Sequence, residues 1–276
     1  MADSFTFDGT DLSTYGLTVM EGNDQWMPDP SVQLAGAPGS GYRFGGSGYQ
    51  AGEITLPCAV QAADLSTLRT YRDAIARVLD VTKGAKKLAI DSIASRYWLA
   101  ILKSSIPAPN THSGFGTVFD LTFALEGYGY DTSATSSSAT ISANPTSFTI
   151  ASPSGSAPAT CVWYLRNTTG SSYTGTLKIN STTFGEYIEW AGTLASNYWL
   201  RVGSVDSDGR YLYTLDTSTT GGSDPTVLSW SNAKTGITTN GGDWPRLKIA
   251  TSNTITVSGI SSATLQYSYT PRYIGA

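Results

Sequence analysis

The side chains able to do chemistry are few here, and their spacing does not favour catalysis. The one histidine, His112, stands in the run Pro109-Asn110-Thr111-His112-Ser113-Gly114, and no serine sits in a G-x-S-x-G elbow that would make it a nucleophile. An imidazole outside such a motif reads as a solvated loop side chain. Cys58 and Cys161 are far apart in sequence, so with a single histidine they supply too few ligands for zinc and no disulfide framework. Glu186 and Glu189 are three residues apart, which in a strand puts them on opposite faces, where they cannot converge on a glycosidic bond. Asp206-Ser207-Asp208-Gly209 opens like a calcium loop, but Arg210 occupies the fifth position and Thr217 the twelfth, so it reads as a hairpin turn. The expectation is a protein without enzymatic activity, metal or cofactor. Aromatic residues are the remaining chemistry: Trp190, Trp199, Trp230 and Trp244 lie near hydroxyl-rich turns, and an indole face beside polar groups suits the apolar face of a pyranose. They are candidate carbohydrate-binding residues. Core packing is the competing reading, and the spacing alone does not separate an inward tryptophan from an outward one.

The elements that would carry these residues are mostly strands. The chain has 276 residues, of which only 14% are charged, and it is rich in Thr, Tyr and Gly. A net charge of -4 with 17 scattered Lys and Arg gives no electrostatic footprint for a polyanion, so nucleic-acid binding is not expected. Apolar runs such as Tyr97 to Leu102 are far shorter than a membrane helix, and the acids among Met1 to Asp11 do not suit a secretory signal. Ile54, Leu56, Cys58 and Val60 alternate as one face of a strand, and so do Phe119, Leu121, Phe123 and Leu125. Both cysteines therefore read as buried thiols. In Arg96 to Leu102, alternation assigns the buried face to Tyr97, Leu99 and Ile101.

One helix is predicted over 64–80, with Asp64 as its cap and Leu65, Leu68, Tyr71 or Arg72, Ile75, Val78 and Leu79 on the buried stripe. Gly22 to Gly52, rich in Pro and Gly with isolated aromatics, reads as a long loop ordered against a partner. Its Tyr42, Arg43, Phe44 and Tyr49 are candidate oligomer-interface residues. The Ser, Thr and Ala stretch over 132–145 lacks apolar periodicity and is assigned as a linker between a first domain, 1–131, and a second, 146–276. Of the 21 acidic residues, 14 lie at or before Asp131, which supports the break. After it, short apolar runs separated by turn clusters predict a β-sandwich or jelly roll.

The order of these pieces resembles the siphophage distal tail protein family. The resemblance is carried by Phe5-Thr6-Phe7-Asp8-Gly9 leading to Leu12-Ser13-Thr14-Tyr15-Gly16-Leu17, by Gly36-Ala37-Pro38-Gly39, and by Phe119-Asp120-Leu121-Thr122-Phe123 before Tyr128-Gly129-Tyr130. In the second half it is carried by Ile188-Glu189-Trp190-Ala191-Gly192, Trp244-Pro245-Arg246-Leu247-Lys248-Ile249 and Tyr267-Ser268-Tyr269-Thr270-Pro271-Arg272-Tyr273. Ser40 departs from the pattern, replacing the usual charged residue of the Pro-Gly segment. The resemblance implies a mainly β protein, with an N-terminal split β-barrel holding one inserted α-helix and a C-terminal galectin-like β-sandwich. It further implies a structural component of the virion, at the phage tail tip or baseplate, made in the host cytoplasm. Such a protein forms a ring of six subunits and partners the tail tube protein, the tape measure protein and the tail hub. A mildly acidic chain suits a lumen that passes DNA. The alternative is a tip or side-fibre component that recognises host surface glycans.

Overall fold

Alternation decides the strands of the first half. The structure, a computed structural model, describes residues 4–20, 30–37, 41–49, 52–93, 95–106, 116–233, 237–239 and 244–274, with the side chains of 30–49 excepted. Two compact units divide the chain, Met1–Tyr130 with Tyr273–Ala276, and Asp131–Arg272.

The first unit contains β1 (Phe5–Phe7), β2 (Thr10–Asp11), β3 (Leu17–Val19), β4 (Pro30–Ala37), β5 (Gly41–Tyr49), β6 (Glu53–Gln61), α1 (Leu65–Val78), β7 (Lys86–Ile90), β8 (Arg96–Leu102) and β9, which begins at Gly116 and ends at Asp131. In β6 the buried residues are Ile54, Leu56, Cys58 and Val60; the first three stand opposite Phe123, Leu121 and Phe119 of β9, and Val60 opposite Thr117. The sheet runs β2-β1-β7-β8-β9-β6-β3. Phe5 and Phe7 near one edge and Leu17 and Val19 at the other share one buried cluster, so the sheet must curl into a half-barrel. Both Phe5 and Phe7 pack on Phe123, with ring centroids 5.8 and 5.6 Å away.

Helix α1 starts where Asp64 takes the Thr67 amide at 2.7 Å, and that hydrogen bond holds the Asp64 carboxyl below its ordinary range. Leu68 and Ile75 carry the helix into the same cluster. In β8 Trp98 and Ala100 join the core cluster of the first unit; of the predicted Tyr97, Leu99 and Ile101 only Leu99 is buried. Both faces of this strand are apolar, so alternation does not choose between them. The indole, larger than any of the three, takes the core, while the Tyr97 ring lies on Tyr130 at 5.4 Å with the Lys87 ammonium 5.1 Å from its centroid.

Where the sequence suggests a long loop over Gly22 to Gly52, β4 and β5 form a two-stranded antiparallel ribbon, from Pro30↔Tyr49 to Ala37↔Gly41, with a bulge at Gln33/Leu34. A glycine-rich ladder pairs through its backbone and needs no apolar alternation, which is why it escapes a periodicity reading. His112 lies outside the described residues.

The second unit contains β10 (Thr135–Ile141), β11 (Thr146–Ile150), β12 (Ala159–Asn167), β13 (Tyr173–Ser181), β14 (Glu186–Leu194), β15 (Trp199–Val205), β16 (Tyr211–Ser218), β17 (Trp230–Asn232), β18 (Ile237–Thr239), β19 (Arg246–Leu247), β20 (Asn253–Ser258) and β21 (Ala263–Tyr269). A short β22 (Arg272–Tyr273) follows. Two sheets form, β10-β21-β12-β15-β16-β17 with β19 on β12, and β11-β20-β13-β14-β18. Trp163, Leu165, Val202 and Leu265 of the first meet Leu177, Ile188, Trp190 and Val257 of the second in one core, which makes the unit a sandwich.

Half of the predicted 132–145 linker, Thr135–Ile141, is strand β10, paired with β21 from Thr135↔Tyr269 to Ile141↔Ala263. This is an edge strand whose exposed Ser and Thr satisfy water while the backbone completes the sheet. Both cysteines are buried; desolvation pushes the Cys58 thiol up to about 12 and raises that of Cys161 as well.

Gly203 interrupts the β15–β16 register between Val202 and Ser204 and has φ +80°. A Cβ there would lie 2.0 Å from the Tyr211 hydroxyl, which donates to the Cys161 carbonyl at 3.0 Å. Gly203→Ala is therefore expected to cost about 2–3 kcal/mol, from left-handed backbone strain together with the lost hydrogen bond. A fall in the urea midpoint at unchanged slope would show it, and an unchanged midpoint would refute it.

Candidate assembly surfaces

Glu186 and Glu189, the two acids closest in sequence to a paired-carboxylate arrangement, are committed to ion pairs. Glu186, almost buried, accepts the Arg246 amide at 3.0 Å and Arg246 Nε at 2.9 Å, with Arg246 Nη2 on the same carboxylate. Glu189 takes the Lys178 ammonium at 2.8 Å across the same strand pair. Glu186 pairs with Ser181 and Glu189 with Lys178, so the two carboxylates face opposite sides. Asp206 closes a turn, accepting the Arg210 amide on its side chain at 2.8 Å and the Gly209 amide on its carbonyl at 3.1 Å. Among the described residues no group of three or more His, Cys, Asp and Glu is placed to hold a metal ion.

Two of the four candidate tryptophans are not available to a ligand. Trp190 is 5% exposed and belongs to the sandwich core. Trp199 is fully buried, its indole donating to the Gly222 carbonyl at 2.9 Å. Both stand on strands flanked by larger apolar surface, and burying an indole there is worth more than leaving it in water. Trp230 and Trp244 remain partly exposed. Trp244 meets Tyr213 edge to face at 5.9 Å, and Tyr213 meets Tyr211 at 5.1 Å. With exposed Val205, which is paired to Tyr211, these rings make an apolar patch on the second unit.

Trp230 has different company. It lies 4.4 Å from the Arg201 guanidinium and 6.0 Å from the Tyr164 ring, and Arg201 is fixed by Asp216 at 2.7 Å. Sequence reading passed over Tyr164, Arg201 and Asp216; the signal available was that Tyr164 alternates with buried Trp163 and Leu165 and so must face outward.

In the first unit, Thr18, Ala59 and Val118 lie side by side across β3, β6 and β9. Val118 is 64% exposed and Met20, at the end of β3, is 55% exposed. The curled sheet therefore buries one face and leaves a weakly polar strip on the other. The interface candidates Tyr42, Arg43, Phe44 and Tyr49 all lie on β5, opposite Gly36, Ala35, Leu34 and Pro30.

Residues 10–124 match the phage tail protein RIFT-related domain family. No curated protein matches the chain by sequence. Among solved structures, the chain is similar to the SPP1 Dit protein, described as a paradigm of the hub adsorption apparatus in phages infecting Gram-positive bacteria. The two share 13% identity and a TM-score of 0.69, with 99% of each chain covered. A weaker likeness, at 9% identity and a TM-score of 0.45, is to a chain of the phage P2 baseplate in its activated conformation with calcium; it covers 95% of this chain and 99% of that one. Over residues 10–124 the chain thus matches the phage tail protein RIFT-related domain family, and as a whole it has the fold of the SPP1 Dit protein.

Proposed function

We propose that this chain is a structural component of the distal phage tail, closing head to tail into a ring of six that joins the tail tube to the tip. The observation that carries the reading is the β4–β5 ribbon, which forms a two-stranded sheet of its own, apart from the sheet of β1–β3 and β6–β9. Two strands alone are marginal in water, so the ribbon gains most by lying on another surface. The strip with Met20 and Val118 is an unmatched surface on the same unit. Two different unmatched surfaces on one chain are what a heterologous closure uses. In this reading strand β5, which carries Tyr42, Arg43, Phe44 and Tyr49, lies at the contact with the neighbouring copy. The number six, the galectin-like character of the sandwich and the partners (tube, tape measure and hub proteins) rest on family likeness.

Light scattering on the full chain is expected to give about 175 kDa, six copies of 29.2 kDa. A variant lacking residues 30–49 is expected to run as a monomer with its calorimetric transitions retained. A full chain that stays monomeric at high concentration, with and without tube protein, would defeat the ring reading. A ring that persists without the ribbon would defeat the role of β4–β5.

A further inference from the structure

We propose that the outward face of the seven-stranded sheet of the second unit binds a neutral oligosaccharide, with Trp230 as the stacking platform; this goes beyond the ring reading and does not depend on it. The strand register builds the surface. Gln266, Tyr164, Arg201, Asp216 and Asn232 stand opposite one another across β21, β12, β15, β16 and β17, forming one continuous cross-strand row. Tyr164 lies between Trp163 and Leu165, which are in the core, so the whole row faces away from it. Trp230 is two residues from Asn232 on the edge strand and so shares that face.

What distinguishes this indole is how it is held. The Arg201 guanidinium lies 4.4 Å from the ring centroid and is itself fixed by Asp216, which receives Nη2 at 2.7 Å and Nε at 3.2 Å. The side chains of Arg201 and Asp216 are only 20% and 13% exposed, yet Trp230 remains partly open. The ion pair therefore acts as a mount for one part of the ring and leaves another part to solvent. A mounted ring loses little conformational freedom when a ligand stacks on it, which lowers the cost of binding.

The chemistry around the platform selects the occupant. Arg201 and Asp216 neutralise each other, so the centre has no net charge with which to draw an anion. The row supplies amides at Gln266 and Asn232 and a phenol at Tyr164, groups that both donate and accept hydrogen bonds. An apolar plate bordered by two-way hydrogen-bonding groups matches a hexopyranose, which has an apolar C–H face and a rim of hydroxyls that likewise donate and accept. The patch formed by Tyr211, Tyr213, Trp244 and Val205 is ring against ring with exposed Val205 beside it, and its apolar character suits protein contact better than sugar.

The test is to present the fluorescently labelled full chain to an array of glucose-, galactose- and N-acetylhexosamine-containing oligosaccharides, then to titrate the best binder by calorimetry. Trp230→Ala is expected to weaken that binding at least tenfold, and Asn232→Ala and Gln266→Ala several-fold each, while Trp244→Ala leaves it unchanged. Each variant is first compared with the parent by thermal melting; should Trp230→Ala melt early, Asn232→Ala and Gln266→Ala, which leave the ring mount in place, decide the matter. A full chain that binds none of the sugars overturns the proposal. Binding that survives Trp230→Ala in a folded protein, or is lost in Trp244→Ala instead, overturns it equally. Because the readout is binding and not mass, a chain that forms rings without binding sugar refutes this site alone, and a chain that binds sugar as a monomer refutes the ring alone.

Discussion

Trp163→Ala is expected to unfold the second unit at temperatures where the first remains intact. Trp163 has no exposed surface, its indole donates to the Pro245 carbonyl at 3.3 Å, and its ring lies 5.9 Å from that of Tyr267. It stands on β12, the strand that pairs with β15, β21 and β19, so the space left by the indole opens at the middle of the sheet. Truncating a buried tryptophan costs about 3–5 kcal/mol, because the lost transfer energy is joined by a cavity that the neighbours only partly fill. The Pro245 carbonyl also loses its donor. Differential scanning calorimetry should show one transition shifted far down and the other in place. A common shift of both would mean that the two units unfold as one cooperative body, and no shift would mean that the core collapses around the gap without cost.

Glu186→Ala should be nearly as damaging, for an electrostatic reason. Removing the carboxylate strands the Arg246 guanidinium and its backbone amide, both of which it now satisfies. Breaking a buried pair from one side costs roughly 3–5 kcal/mol, and because Arg246 is 36% exposed, water should return part of that, leaving a loss at or below the low end. Pairing the change with Arg246→Met should recover much of the stability, since no uncompensated charge then remains. The pair Lys178–Glu189, about a third exposed on both sides, provides the contrast: Glu189→Ala should move the urea midpoint by no more than about 1 kcal/mol in equivalent free energy. Equal effects at the two sites would show that burial is not what sets them apart.

Much of the fold was legible wherever burial on one side enforces a period of two. Ile54, Leu56, Cys58 and Val60 could be assigned to the core because the intervening residues are polar or small. Strand β8 resisted for the opposite reason, since Tyr97, Trp98, Leu99 and Ile101 are all apolar and only the curl of the sheet chooses among them. Strands β4, β5 and β10 were illegible because their pairing is a property of the backbone; Gly, Ser and Thr leave no hydrophobic trace of it. The same limit governed the tryptophans. A sequence tells that Trp190 and Trp230 both lie in strand-forming surroundings, but one belongs to an interior strand of the five-stranded sheet and the other to the edge of the seven-stranded one, and strand order is a long-range fact. What could have been read in advance is the partner set of Trp230, had the outward residues between Trp163 and Leu165 and between Leu200 and Val202 been aligned as one face.

The path of the chain has one more consequence. It leaves the first unit at Tyr130 and returns to it at Tyr273, with the sandwich between. The entry and exit of the insert are neighbours, with the Asp131 amide donating to the Pro271 carbonyl at 3.0 Å. An insert whose two ends meet can be lengthened, exchanged or removed without stretching the host sheet. Changes in the length or sequence of the loops between the sandwich strands are thereby free to accumulate without disturbing how the strands of the first unit pair.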